Sequence, residues 1–495
     1  MKANLFKYIL GGAVLVGSLG SCKKITDINY TPNKPSQPQT ALLITSAERS
    51  VAGLVNATQP RLYVQQISNV FYTDESRYKA IQFDYNAIYN GPLEDLNLVI
   101  LLNTADSTKT APYVVSGGSN ANQIAAARIL KAFFFFNMTD RFGDIPYSEA
   151  LKGVSELTPK FDAQKDVYTA LFSELTAAVA QFDGGSLNGD ILFSGNVAAW
   201  KRFANTIKLM AALHLSKKDP ATGKAKFNEA LAAGVISSNT ENISYKFLAE
   251  SANENNIYNN YQVAKRYDYA ISKPMVDMLT TLSDPRLAVY ATPTATNTIV
   301  GMPYGLLQGA PGYSAGTVDN LPTSAGNISL IGAKFRQQNS AVSIYTYSEV
   351  LFSVAEAYKL GWITGSADDV NAAAKYTAAV TASFNEQGIT DAVAISNYIG
   401  QAGVVYNSAN AIKLILTQKW IASYMGYGYE AWTDWRRTGY PELTVTPNAY
   451  TTPKIIPRRQ GYPLTERDLN TDNYNAVVAS QGADDLTTSV WWDKP

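Results

Sequence analysis

His214 and Cys22 are the only histidine and the only cysteine in 495 residues, and that scarcity removes most nucleophilic and metal chemistry at the outset. A zinc site needs clustered Cys and His ligands, and a Ser–His or Cys–His nucleophile needs a base in a recognisable setting. His214 instead falls on the apolar helical face set by Trp200, Ile207 and Ala211, the place of a core side chain. Gly117-Gly118 and Gly184-Gly185 lack the lysine and the strand-to-helix context of a phosphate loop. The adjacent acids Glu94-Asp95, Asp368-Asp369 and Asp484-Asp485 are the raw material for paired-carboxylate glycoside hydrolysis, yet nothing singles out an acid and a base among them. No EF-hand pattern accompanies them. We therefore assign no catalytic residue, metal ligand or cofactor.

Cys22 carries a different chemistry. Lys2 and Lys7 make a basic start, Tyr8 to Leu19 a short apolar stretch, and Leu19-Gly20-Ser21-Cys22 a small-residue cleavage pattern ending on the thiol. The apolar run is too short and glycine-rich to span a bilayer. Residues 1–21 are expected to be a lipoprotein signal peptide, with Cys22 the lipid-attachment residue; more than one acyl chain there would give a stable anchor. Residues 22–40 hold Pro32, Pro35 and Pro38 without apolar periodicity and are expected to form a flexible tether. Losing Lys2 and Lys7 leaves 39 basic against 41 acidic residues. A net charge near −2 argues against nucleic acid as a partner. With one cysteine there is no disulfide framework.

The rest, 41–495, is expected as one domain, mainly α. Val167, Tyr168, Leu171, Phe172, Leu175 and Ala178 recur at helical spacing, as do Trp200, Phe203, Ile207 and Ala211. Further stripes run through Tyr347, Leu351, Val354 and Tyr358, and through Ile412, Ile415, Leu416 and Trp420. Ile124 to Met138 is apolar almost all round and predicts a central buried helix. Helices joined by short turns suggest a scaffold of helical hairpins similar to tetratricopeptide repeats, without a clean 34-residue period. Long irregular stretches, about Leu62–Tyr85, Ile236–Ser272, Pro285–Ser343 and Gly439–Pro495, are expected to be functional loops.

Several motifs, in order, resemble one family. They are Asp27-Ile28-Asn29 with Pro32-Asn33, the run Asp140-Arg141-Phe142-Gly143-Asp144-Ile145-Pro146-Tyr147, and Trp200-Lys201-Arg202-Phe203. Ile456-Pro457-Arg458-Arg459, Tyr462-Pro463, Glu466, Asn470, Asn473-Tyr474 and Val490-Trp491-Trp492-Asp493 close the chain. Together they are similar to SusD/RagB-type outer-membrane lipoproteins of the SusD-like subgroup. These motifs also read as structural: a turn held by Asp140 and Asp144 about Arg141, and a clamp of Arg458 and Arg459 near Glu466 fastening a tryptophan-bearing tail.

The resemblance implies a non-enzymatic, cell-surface, nutrient-binding lipoprotein. It would capture an oligosaccharide or a peptide and deliver it to a SusC-like TonB-dependent transporter in the outer membrane. It also implies a SusD-like fold whose loops bind ligand. Tyrosine is plentiful, 31 against 18 Phe and 7 Trp, and its flat face with a polar tip suits sugar or peptide recognition. Candidate ligand residues are Tyr72, Arg77, Tyr78, Tyr85 and Asn86 in the first loop, and Tyr304 and Tyr313 in a glycine-rich later one. Tyr258, Tyr261 and Tyr267 form a weaker group. A helical interaction scaffold without small ligand, or a lipid-anchored glycan hydrolase, are the competing readings.

Overall fold

The computed structural model describes residues 37–307, 310 and 328–494. Cys22, the leader, most of the tether and Tyr313 lie outside these. The chain divides into Met1–Gln39 and Thr40–Pro495, and the described helices all belong to the second unit.

That unit is mainly helical, as expected. Its principal helices are α1 (Thr40–Val55), α2 (Glu94–Thr104), α3 (Asn120–Phe142), α4 (Gln164–Gln181), α5 (Val197–His214) and α6 (Pro220–Ala233). After a long loop region come α7 (Tyr347–Lys359), α8 (Asp369–Glu386), α9 (Ala411–Ala422), α10 (Gly428–Thr438), α11 (Leu464–Leu469) and α12 (Thr471–Gln481). Consecutive partners pack most densely, α3 with α4, α5 with α6 and α7 with α8, which is the hairpin arrangement the periodicities predict. Helix starts follow side-chain chemistry. Asn196 accepts from Ala199 N–H to begin α5, and Thr346 with Glu349 forms a capping box on α7.

Helix α3 is the axis of the core. Ala125 to Phe142 is buried except for half-buried Arg128 and Lys131, which reach out to Glu174 and Gln181 and to Asn97 respectively. Thr139 O receives Gly143 N–H as the helix ends, and the positive φ of Gly143 (86°) turns the chain there. A Cβ on Gly143 would meet Gln481 Oε1 at 1.8 Å, so glycine is required twice over.

Short antiparallel pairs tie the loops down: β1 (Ile67–Asn69) with β5 (Tyr269–Ile271), β2 (Ile145–Pro146) with β3 (Phe161–Asp162), β4 (Ile243–Tyr245) with β8 (Val342–Tyr345), and β6 (Ala291–Thr292) with β7 (Leu330–Ile331). Ile67 opposes Ile271, which brings the first loop against the Ile257–Tyr269 segment. Gly439–Pro495, expected to be irregular, carries α11 and α12. Only Val477 and Gln481 are buried across them, so a hydrophobic stripe was absent to mark them.

Candidate functional site

Loop Phe71–Asn86 is built from the backbone outward. Asn69 Oδ1 accepts from Phe71 N–H (3.0 Å) and Tyr72 N–H (2.6 Å), and Ser76 Oγ accepts from Asn69 N–H (3.0 Å). This turn lifts Tyr72 to the surface, 53% exposed, with the Arg266 guanidinium 5.5 Å from its ring centroid. Arg77, on the following 3₁₀ turn, is buried beneath Tyr450. Its guanidinium sits 4.8 Å from that ring, while Tyr450 remains 50% exposed and its N–H donates to Arg77 O (2.8 Å). Each open tyrosine thus has an arginine against its ring and free ring surface beside it. Arg266 pairs with Asp268 (2.8 Å) and Arg77 with Asp74 (3.3 Å).

Tyr78 and Tyr304 meet in the interior. Tyr78 is 1% exposed, left-handed at φ 66°, and edge-on to Tyr63 at 5.9 Å. The Tyr304 hydroxyl donates to Leu62 O and lies 3.4 Å from the Tyr78 hydroxyl. Burial, followed by contact with the other phenol, pushes Tyr304 well above its ordinary range; burial raises Tyr78 to about 12. Tyr78 therefore supports the loop from beneath and offers no ring face.

Tyr85 and Asn86 are elsewhere. Tyr85 is fully buried, edge-on to Phe142 (4.9 Å) and Tyr89 (5.4 Å), and its hydroxyl donates to Glu466 Oε1 (2.8 Å). Asn86 Nδ2 donates to Thr465 Oγ1 (2.9 Å). Asn86, Tyr89 and Glu466 line an open cavity of about 500 Å³ beside the Ala150–Pro159 loop. The expected first-loop platform is thus divided: Tyr72, Arg77 and Tyr78 lie on one turn, with Tyr304 of the later loop against Tyr78, and Tyr85 and Asn86 lie elsewhere. In the weaker group, Tyr261 and Tyr267 are buried against each other at 5.3 Å.

Two expected charge arrangements are corrected. Arg141 is not held by Asp140 and Asp144. Its Nε donates to Gln460 Oε1 (2.7 Å) and Nη1 to Asn137 Oδ1 (3.1 Å), and it stacks on Phe142 and Tyr429. Asp140 faces inward instead, accepting from Tyr168 and from Trp492 Nε1 (2.9 Å), 3.3 Å from His214 Nδ1. The tail clamp also uses other partners. Arg458 pairs with Asp493 and Arg459 with Asp484 (3.1 Å), while Glu466 serves Tyr85. Choosing among acids by sequence nearness fails because the folded neighbours are set by packing.

His214 is a core residue, as its periodicity predicts, but a charged one. Burial alone would lower it; Asp140 and Glu430 outweigh that and hold it up at about 9. Glu430 Oε1 is 3.2 Å from Nε2. Of the adjacent acids, Asp368 caps α8, Asp369 binds Lys359, Tyr406 and Ser408, and Asp485 accepts from Thr487 and Thr488. Among the described residues there is no grouping of three or more His, Cys, Asp or Glu able to hold a metal ion, and no helix long and apolar enough to cross a membrane.

No curated protein sequence matches the chain. Its structure is similar to that of a chitin-binding protein, at 26% identity and a TM-score of 0.75, covering 93% of this chain and 100% of that one. It is also similar to a SusD homologue from Bacteroides fragilis (24%, TM-score 0.77, 92% and 100% covered). A chitin-binding SusD homologue from Flavobacterium johnsoniae compares at 22%, TM-score 0.71, with 92% and 98% covered. The sequence matches a SusD-like family profile, starch-binding and associating with the outer membrane, over residues 32–463, and the chain belongs to that family of binding proteins.

Proposed function

We propose that the protein captures an oligosaccharide at the outer surface of the outer membrane and passes it to a SusC-like TonB-dependent transporter. The observation that carries this reading is the pair of half-exposed tyrosines, Tyr72 and Tyr450, each with an arginine packed on its ring. Sugar rings stack on such faces through their C–H groups, and a neighbouring guanidinium can donate to hydroxyls. Two similar structures are of chitin-binding proteins, which favours a glycan, and one built on N-acetylated sugars, over a peptide. Residues 1–21 are the proposed signal peptide and Cys22 the acylated residue. Residues 22–40 are the tether that lets the 41–495 body swing over the transporter. No bond is broken in this account.

The test is a co-purification of the full-length chain from detergent-solubilised outer membranes. The wild type should carry a labelled acyl chain and bring down a β-barrel transporter. Cys22→Ser should lose the label and the membrane fraction while its purified body still binds glycan. A Cys22→Ser protein that stays acylated and membrane-bound contradicts the anchor.

A further inference from the structure

Away from both places described above, a cavity of about 250 Å³ opens between the start of α7, the end of α8, strands β4 and β8, and the Ala422–Gly426 turn. A single water needs about 10–15 Å³ of such space, so the cavity admits a molecule the size of one sugar ring. We propose that this cavity is a second binding site, for a small hydroxylated amine of amino-sugar size. The inference does not rest on the glycan reading of Tyr72 and Tyr450.

Three features point to that class. First, two wall residues keep a buried polar atom without a hydrogen-bond partner: Glu386 Oε2 and the Tyr424 hydroxyl. Buried polar atoms are nearly always paired, so such orphans mark a place where something else supplies the bond. Tyr424 is 2% exposed, stacked on Tyr290 at 4.5 Å and edge-on to Phe335 at 5.5 Å. Second, two acids, Glu349 and Glu386, share the wall with one lysine, Lys334. Burial raises each acid to about 7 against the pull of Lys419 and Lys334 respectively. An ammonium group would favour the carboxylate form of Glu386, which also closes the C-terminal, electronegative end of α8. Third, hydroxyl-matching groups stand around the acids. Asn242 spends its oxygen on Tyr347 N–H (2.8 Å), leaving its amide protons, and Ser343 Oγ donates to Glu386 Oε1 (3.3 Å). Lys334 donates to Glu386 O (2.7 Å) and Gln387 Oε1 (3.0 Å), which leaves Glu386 Oε2 without a hydrogen bond.

The test is calorimetric titration of the mature chain with glucosamine, compared with glucose and N-acetylglucosamine, which lack the ammonium, with ethylamine, which lacks the hydroxyls, and with serine. In a chain carrying Tyr72→Ala and Tyr450→Ala, which removes the rings proposed for N-acetylated sugars, glucosamine should bind at least tenfold more tightly than all four. Glu386→Gln should weaken it at least tenfold and Tyr424→Phe about threefold, with circular dichroism unchanged; Tyr450→Ala should leave it unaltered. If Glu386→Gln does not fold, Tyr424→Phe and Asn242→Ala carry the comparison. Absence of glucosamine heat, equal binding of any comparator in the double variant, or full affinity in these cavity variants would overturn the proposal. Loss of binding in Tyr450→Ala would overturn the claim of a separate site.

Discussion

The Arg77 guanidinium lies 4.8 Å from the Tyr450 ring centroid, joining a side chain of the first loop to one 373 positions later. The ring is half exposed and the arginine beneath it is buried, so the arginine fixes the attitude of a surface that a ligand would meet. Arg77→Lys keeps the charge but loses the planar contact. It should weaken glycan binding about threefold, near 0.6 kcal/mol, with the melting temperature nearly unchanged. Calorimetry and thermal denaturation on the same preparation check both halves.

Trp492 is fully buried and donates to Asp140 Oδ1 (2.9 Å), fixing the tail to the end of α3. Trp492→Ala should cost about 3–5 kcal/mol through lost burial and the cavity left behind. Trp492→Phe removes mainly the hydrogen bond to a charged group and should cost about 1.5–3 kcal/mol. Urea unfolding curves separate the two; equal stability of all three proteins would show that the tail is not part of the core.

His214 gives the fold a pH dependence of known sign. Its folded value is raised, to about 9 from 6.5. The stabilisation is complete below pH 6.5 and is lost as pH rises through 9. Over that window the wild type should lose on the order of 3 kcal/mol. His214→Gln should be less stable at pH 6 and show a shallower slope between pH 6.5 and 9. Urea midpoints taken across that range read it directly.

Glu48 acts in the same direction for the opposite reason. It is fully buried, with its Oε2 accepting from Ile191 N–H (2.6 Å), and burial together with Asp190 raises it to about 10. A carboxyl that stays protonated when folded binds more protons than the unfolded chain between pH 4.5 and 10, so stability falls with rising pH in that window. Glu48→Gln keeps the acceptor and removes the penalty. It should raise stability at pH 7 by up to about 3 kcal/mol, with a flatter pH profile; a destabilised, equally steep variant would refute the assignment.

Long apolar stripes were legible in the sequence because they record local burial: Val167 to Ala178, Trp200 to Ala211 and the all-round apolar α3 fall on helices as read. The family motifs were legible too, since they are contiguous. Which aromatic faces outward was not. Tyr78 is buried by an arrangement that includes Tyr304, 226 positions away, and Tyr85 donates to Glu466, 381 positions away. Such partners have no signature in the local pattern. Tyr450 was missed for the same reason: amid Thr, Pro and Asn it reads as ordinary loop, and only the folded chain sets it over Arg77.

The most direct test of the account is calorimetric titration of chito-oligosaccharides into the purified mature body, comparing wild type, Tyr450→Ala, Tyr72→Ala and Tyr85→Phe. Loss of each open ring should cost about 1–2 kcal/mol, or roughly five- to thirtyfold in affinity, while Tyr85→Phe should bind as the wild type does. Undiminished binding in the Tyr72 and Tyr450 variants would contradict the central claim that these two rings form the ligand face.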